Sequence, residues 1–150
     1  MPQSLSSVLI HLVFSTKNRE PWIRGPVEGK LHAYLGGILR EINCPSLTVG
    51  GTADHVHILF VLARTMAISN VVEEVKTGSS KWIKTQNPAF QNFHWQAGYG
   101  AFSIGQSAVE RLKQYIARQH EHHHGQSFQD EFRELLMRYE IPFDERYVWD

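Results

Sequence analysis

Residues 7–15 constrain the fold more than any other stretch. Val8, Ile10, Leu12 and Phe14 alternate with Leu9, His11, Val13 and Ser15, the period-two pattern of a β-strand. Both alternating sets are largely apolar, so this strand belongs in the middle of a sheet covered on both sides. His11 is the odd residue. It reads as a hydrogen-bonded buried histidine, with a place beside an active site as the alternative.

The rest of the chain supplies that strand's neighbours. Residues 27–42 set Leu31, Tyr34, Leu35, Ile38, Leu39 and Ile42 at three- and four-residue spacing, which predicts a helix stopped by Asn43 and Pro45. Gly36 and Gly37 inside it each cost about 1 kcal/mol relative to alanine, which points to close packing on the sheet. Residues 46–49 and 55–62 read as two strands turned at Gly50-Gly51, an antiparallel hairpin. Residues 68–86 carry the stripe Ile68, Val71, Val72, Val75, Trp82 and Ile83 of a second long helix, with a kink expected at Gly78-Ser79-Ser80. Residues 98–104 read as the fourth strand. Residues 107–120 form a third helix, with Ser107 and Glu110 at capping-box spacing. Residues 128–139 form a fourth, on Phe128, Phe132, Leu135, Leu136 and Tyr139.

The order is β-α-β-β-α-β followed by helices. That is the α+β class: a ferredoxin-like split β-α-β plan, a four-stranded antiparallel sheet with helices on one face and extra C-terminal helices. No linker or repeat divides residues 1–150, so one domain is expected.

Composition narrows the function. No run approaches the roughly 18 apolar residues of a membrane span, and no export signal opens the chain. The single cysteine, Cys44, allows neither an internal disulfide nor a cysteine-based zinc site, and a reducing cytoplasm is the simplest compartment. Net charge is zero, which argues mildly against nucleic acid. The distribution softens this: residues 130–150 hold seven acids and three bases, leaving the remainder net basic. Lys17 and Arg19 fall in a loop that can touch phosphates. Lys76, Lys81 and Lys84 sit in a stretch without acids, which is either a phosphate-binding face or a solvated helix. The aromatic residues Phe93, Trp95, Tyr99 and Phe102 are core or stacking platforms, with core the favoured reading.

The chemistry centres on His55-Val56-His57. Residues two apart on a strand face the same way, so the imidazoles project together and make half of a divalent-metal site. Such a pair also arises by chance in a chain with nine histidines. Asp54 either orients an imidazole or caps a turn. Tyr115 and Gln119, four apart, share a helix face. The run from His120 to His124 reads as solvated, a source of adventitious metal binding.

In this order and on this fold plan, the residues resemble the IS200/IS605-type Y1 transposases of the HUH class. The similarity lies in Gly50-Gly51-Thr52-Ala53-Asp54-His55-Val56-His57, in Tyr115-Ile116-Ala117-Arg118-Gln119, in residues 95–103 and in the opening strand running into residues 15–19. The resemblance implies that His55, His57 and Gln119 bind Mg²⁺ or Mn²⁺. It implies that Tyr115 attacks a DNA phosphate, giving a 5′-phosphotyrosine and a free 3′-OH, which permits strand transfer without ATP. It further implies a homodimer in a bacterial or archaeal cell, with the tyrosine helix completing the site of its own subunit or of the partner, acting on single-stranded DNA that bears a hairpin. Lys17, Arg19, Lys76, Lys81, Lys84 and Arg118 are the candidate DNA contacts. A domesticated, repeat-associated transposase acting on host palindromes fits the same residues. A non-catalytic hairpin-binding regulator is the rival of another class.

Overall fold

The structure is a computed structural model and describes residues 2–150. Its strands are β1 (Leu9–Ser15), β2 (Ser46–Thr52), β3 (His55–Val61) and β4 (Gly100–Ile104). Its helices are α1 (Pro26–Glu41), α2 (Ile68–Gln86), α3 (Val109–Ala117), α4 (Gln119–His122) and α5 (Phe128–Arg138). The sheet has the order β2-β3-β1-β4, and every neighbouring pair is antiparallel. The doubly apolar strand β1 is central, as its sequence requires, and all seven of its residues are buried.

The two sets of alternating side chains feed two different layers. Ile10, Leu12 and Phe14 of β1, with Val56, Ile58 and Phe60 of β3, pack on Leu31, Leu35 and Leu39 of α1 and on Val71, Val72, Val75 and Ile83 of α2. This is the split β-α-β core. The C-terminal helices cover the opposite face. Leu9 and Leu59 meet Val109 and Ile116 of α3, and Val13 and Phe102 meet Phe128, Phe132, Leu135 and Leu136 of α5. The extra helices are therefore the second layer that a central strand with two apolar faces demands.

Two glycines set how closely that second layer approaches. A Cβ on Gly50 would lie 2.6 Å from the Ile116 carbonyl oxygen, so α3 rests directly on the β2 backbone. A Cβ on Gly100 would lie 2.6 Å from a ring carbon of Phe132, so α5 settles the same way on β4. Gly50→Ala should lower stability by about 1–3 kcal/mol through overpacking against backbone that cannot swing aside. Gly37→Ala, where a Cβ meets nothing within 4 Å, should be neutral or stabilising. Urea midpoints of the two variants check the contrast; equal midpoints would contradict it.

Several local expectations change. Gly36 faces only the Ser46 hydroxyl and Gly37 faces open space, so that pair is not a close contact with the sheet backbone. α2 runs unbroken through Gly78-Ser79-Ser80. The buried Ser79 hydroxyl donates to the Val75 carbonyl at 2.6 Å and accepts from Trp95 Nε1 at 2.9 Å, so its polarity is satisfied inside the helix. The helix expected over residues 107–120 instead breaks at Arg118, which joins α3 to α4 with φ −104° and ψ 23°. Ser107 lies in a 3₁₀ turn before α3 and makes no cap bond there. Ser127, unremarked in the sequence, caps α5 by accepting from the Asp130 backbone N–H at 3.1 Å.

Candidate active site

His55 and His57 enter on the β3 face covered by α3–α5, and neither side chain is exposed. β1 pins this end of the strand, with Ser15 opposite His55 and Val13 opposite His57. The Thr16 N–H also donates to the Asp54 carbonyl at 2.8 Å, which fixes the approach to His55.

Each imidazole is held from behind. Asp54 Oδ1 accepts from His55 Nδ1 at 2.7 Å and from the Thr52 hydroxyl at 3.1 Å. Asp54 thus orients the ring, and burial of the carboxylate is outweighed by these bonds, so its pKa lies below the ordinary value. His11 Nε2 lies 2.8 Å from His57 Nδ1, with the rings stacked at 5.1 Å. Both readings of His11 therefore hold: it is buried and hydrogen-bonded, and it borders the site. Burial pushes the pKa values of His11 and His57 down, so both rings are neutral.

With Nδ1 occupied in each ring, Nε2 of both histidines faces inward, toward a residue that the motif reading missed. Glu131 of α5 is buried, and its Oε1 lies 3.0 Å from His57 Nε2 and 3.5 Å from His55 Nε2. His123 Nε2 donates to the same oxygen at 3.0 Å. Glu131 Oε2 accepts from Gln119 Nε2 at 3.0 Å and from the Tyr115 hydroxyl. Gln119, buried at the start of α4, turns its Oε1 to His55 Nε2 at 2.8 Å. Tyr115, in the last turn of α3, also packs edge-on against the His57 ring. Tyr115, Gln119, His55 and His57 are thus brought together within one chain, with Glu131 at their centre.

The electrostatics follow from that carboxylate. Burial raises its pKa, but hydrogen bonds from His123, His57 and Tyr115 hold it well below the usual carboxylate range. It remains an anion. Burial and the facing Glu131 charge push the Tyr115 phenol well above its ordinary value. A phosphate arriving beside Tyr115 would meet a second buried negative charge, so the site needs a cation to accept it. The donor set suits one. An oxygen of Glu131 and a nitrogen of each histidine lie within 4.8 Å of one another, all buried. Two imidazole nitrogens with carboxylate and amide oxygens are ligands for a small divalent ion with positions left for water or substrate.

The signal for Glu131 was present in the sequence. It stands three residues after Phe128 and four before Leu135, on the apolar stripe of α5, where a charged residue is rarely found without a partner. His123 carried a weaker one. The histidine run is exposed except at His123, which is drawn in to Glu131; His122 lies against the Tyr115 ring at 4.5 Å and His120 pairs with Glu28 at 2.8 Å at the surface.

The six candidate DNA contacts scatter. Arg118 is exposed at the α3–α4 junction and borders a depression shared with Tyr115. Lys17 and Arg19 lie in an exposed turn near the C-terminus, where the Arg19 guanidinium sits 5.8 Å from the Trp149 ring. α2, which carries Lys76, Lys81 and Lys84, packs on the sheet face opposite the histidines. The Lys76 ammonium donates to the carbonyls of Gln96, Ala97 and Gly98, at 2.7, 3.2 and 2.6 Å, and burial draws its pKa down to about 8. Phe93, Trp95 and Phe102 are core; Tyr99 is exposed. No helix among the described residues is long and apolar enough to cross a membrane.

Comparison with known proteins gives three findings. The family model described as "Transposase IS200 like" matches residues 4–119. Solved structures share the fold, two of them as follows. One is a protein of Deinococcus radiodurans R1 described as a candidate transposase, at TM-score 0.62 and 20% identity, covering 79% of this chain and 98% of its own. The other is a REP-associated tyrosine transposase bound to a REP hairpin, at TM-score 0.60 and 14% identity, covering 83% of this chain and 73% of its own. No curated protein matches the chain significantly.

Proposed function

The chain belongs to the IS200-like transposase family, and from that premise we propose that it is a metal-dependent single-strand endonuclease and strand transferase acting on DNA ends that carry a hairpin. The observation that carries the reading is the convergence of the half-buried Tyr115 hydroxyl with the buried His55, His57, Gln119 and Glu131 in one cluster. The structural neighbour bound to a REP hairpin supports the choice of substrate.

Tyr115 Oη attacks the scissile phosphorus. A P–O(tyrosine) bond forms and the P–O3′ bond breaks, leaving a 5′-phosphotyrosine and a free 3′-OH. Glu131 Oε2 holds the phenol in place by accepting its hydrogen bond; the phenol proton leaves to solvent as the bond to phosphorus forms, and the departing 3′ oxygen takes a proton from solvent. Nε2 of His55 and His57 with Oε1 of Glu131, joined by Gln119 Oε1, would hold Mg²⁺ or Mn²⁺, whose charge would offset the phosphate's beside the buried carboxylate. Asp54 keeps the His55 proton on Nδ1 and leaves Nε2 free to bind. His11 does the equivalent for His57, because a neutral imidazole can either give or accept the hydrogen bond at His57 Nδ1.

The protein is expected to be a homodimer in which each Tyr115 serves its own chain's histidines. Wild-type protein incubated with hairpin DNA bearing single-stranded flanks and Mn²⁺ should give a protein–DNA adduct that survives SDS. A mixture of Tyr115→Phe and His57→Ala proteins should give none. Adduct from the mixture would show the tyrosine working in trans. DNA bound by the wild type but never cut would identify a hairpin-binding regulator instead.

A further inference from the structure

Tyr115 stands between two depressions. On one side is a cavity of about 250 Å³ between α3 and α5, with His11, Arg111, Leu112, Tyr115, Arg138 and Tyr139 among its walls. On the other is a shallower trough bordered by Arg111, Gln114, Arg118, Glu121 and His122. Tyr115 and Arg111 line both. A strand laid across the Tyr115 hydroxyl would run into the cavity on one side and along the trough on the other.

The cavity has the chemistry of a base site. Its volume falls below the roughly 300 Å³ at which pockets for drug-sized ligands begin, so it takes one ring system and not a stack of nucleotides. Leu112 and Leu135 give it apolar walls. The Tyr139 ring is braced against Phe102 at 4.8 Å and stays partly exposed, ready to stack. Arg111 and Arg138 bring two guanidinium groups that, among the described residues, enter no ion pair. Packing does not require two unpaired arginines at the rim of an apolar cavity. Reading hydrogen-bond acceptors on a base edge does.

We infer that this cavity receives one unstacked base next to the scissile phosphate, a base presenting hydrogen-bond acceptors to Arg111 and Arg138. The inference rests on Tyr115 acting as the DNA nucleophile. The base leaves its stack, as bases do in enzymes that read them one at a time, and the cavity selects where the strand is cut. Stacking holds whichever base enters, and the guanidinium contacts choose between bases, at about 1–3 kcal/mol per bidentate pair, a factor of at least about five in preference.

The test uses full-length protein, Mn²⁺ and a pool of hairpin oligonucleotides with randomised single-stranded flanks, with the DNA of the covalent adducts sequenced. One position next to the cut should be strongly biased to one base. Ala108→Trp, which fills the cavity from its rim, and Arg138→Ala, which removes one of the two guanidinium groups, should each cut that bias at least about fivefold. An abasic residue at the biased position should lower wild-type adduct yield by a similar factor, a reading that needs no variant to fold. Uniform flanks, an abasic site without effect, or a bias that folded variants retain would overturn the base site while leaving Tyr115 in place. Absence of any adduct would overturn the nucleophile, and the base site with it.

Discussion

Tyr115→Phe should abolish the covalent DNA adduct outright, while hairpin binding stays within about twofold of wild type. The substitution removes one oxygen from a ring that keeps its contacts with His57 and His122. It also removes a hydrogen bond to Glu131, whose carboxylate still has donors in His57, His123 and Gln119. The folded protein should therefore tolerate the change, at a stability cost near the 1–3 kcal/mol of a lost buried hydrogen bond to a charge. Without a nucleophile there is no phosphotyrosine, so the loss is absolute and not a shift in KM. An SDS-resistant band from the Phe variant would assign the attack to another group.

The second large effect concerns Glu131. Glu131→Ala should weaken Mn²⁺ binding by more than the roughly 10–100-fold that loss of an outer partner costs, because the carboxylate is the anionic donor of the set. Gln119→Ala should cost less, since its amide oxygen carries no net charge. Calorimetric titration with Mn²⁺ gives both values, and equal losses would place Gln119 on a par with Glu131. The metal-free proteins should also differ in acid. A carboxyl whose pKa is depressed in the folded state adds stability above its unfolded value, 4.5 for glutamate, and loses it as pH falls toward the folded value. Wild-type stability should therefore fall below pH 4.5 more steeply than that of Glu131→Gln. Parallel acid limbs would mean that the Glu131 charge is not held by the surrounding donors.

Much of this was legible in the chain before any coordinate. Two apolar faces on residues 7–15 require a central strand, and β1 is central. The three-four spacing that begins at Ile68 and the stop at Asn87-Pro88 bound α2. The histidine pair announces a shared face because strand geometry leaves no alternative. Harder to read were properties that depend on what an element packs against. Glu131 hid in a helix defined by its apolar stripe, and only the docking of α5 over β4 at Gly100 shows why an acid belongs on that stripe. His11 gave away its burial but not its partner, since His57 sits 46 residues downstream. Lys76 counted as free charge in the sequence, whereas the fold delivers three carbonyls to it. The break at Arg118 has no proline or glycine to signal it. Even so, Tyr115 and Gln119, on either side of that break, both reach Glu131.

The central claim is that one side chain, the Tyr115 phenol, takes up the DNA phosphate. Protease digestion of the wild-type adduct, followed by tandem mass spectrometry, tests it most directly. The account predicts that the peptide containing Tyr115 carries the DNA through a 5′-phosphate on the phenolic oxygen. A nucleotide on Tyr34, Tyr99, Tyr139 or Tyr147, or on no tyrosine, would contradict it.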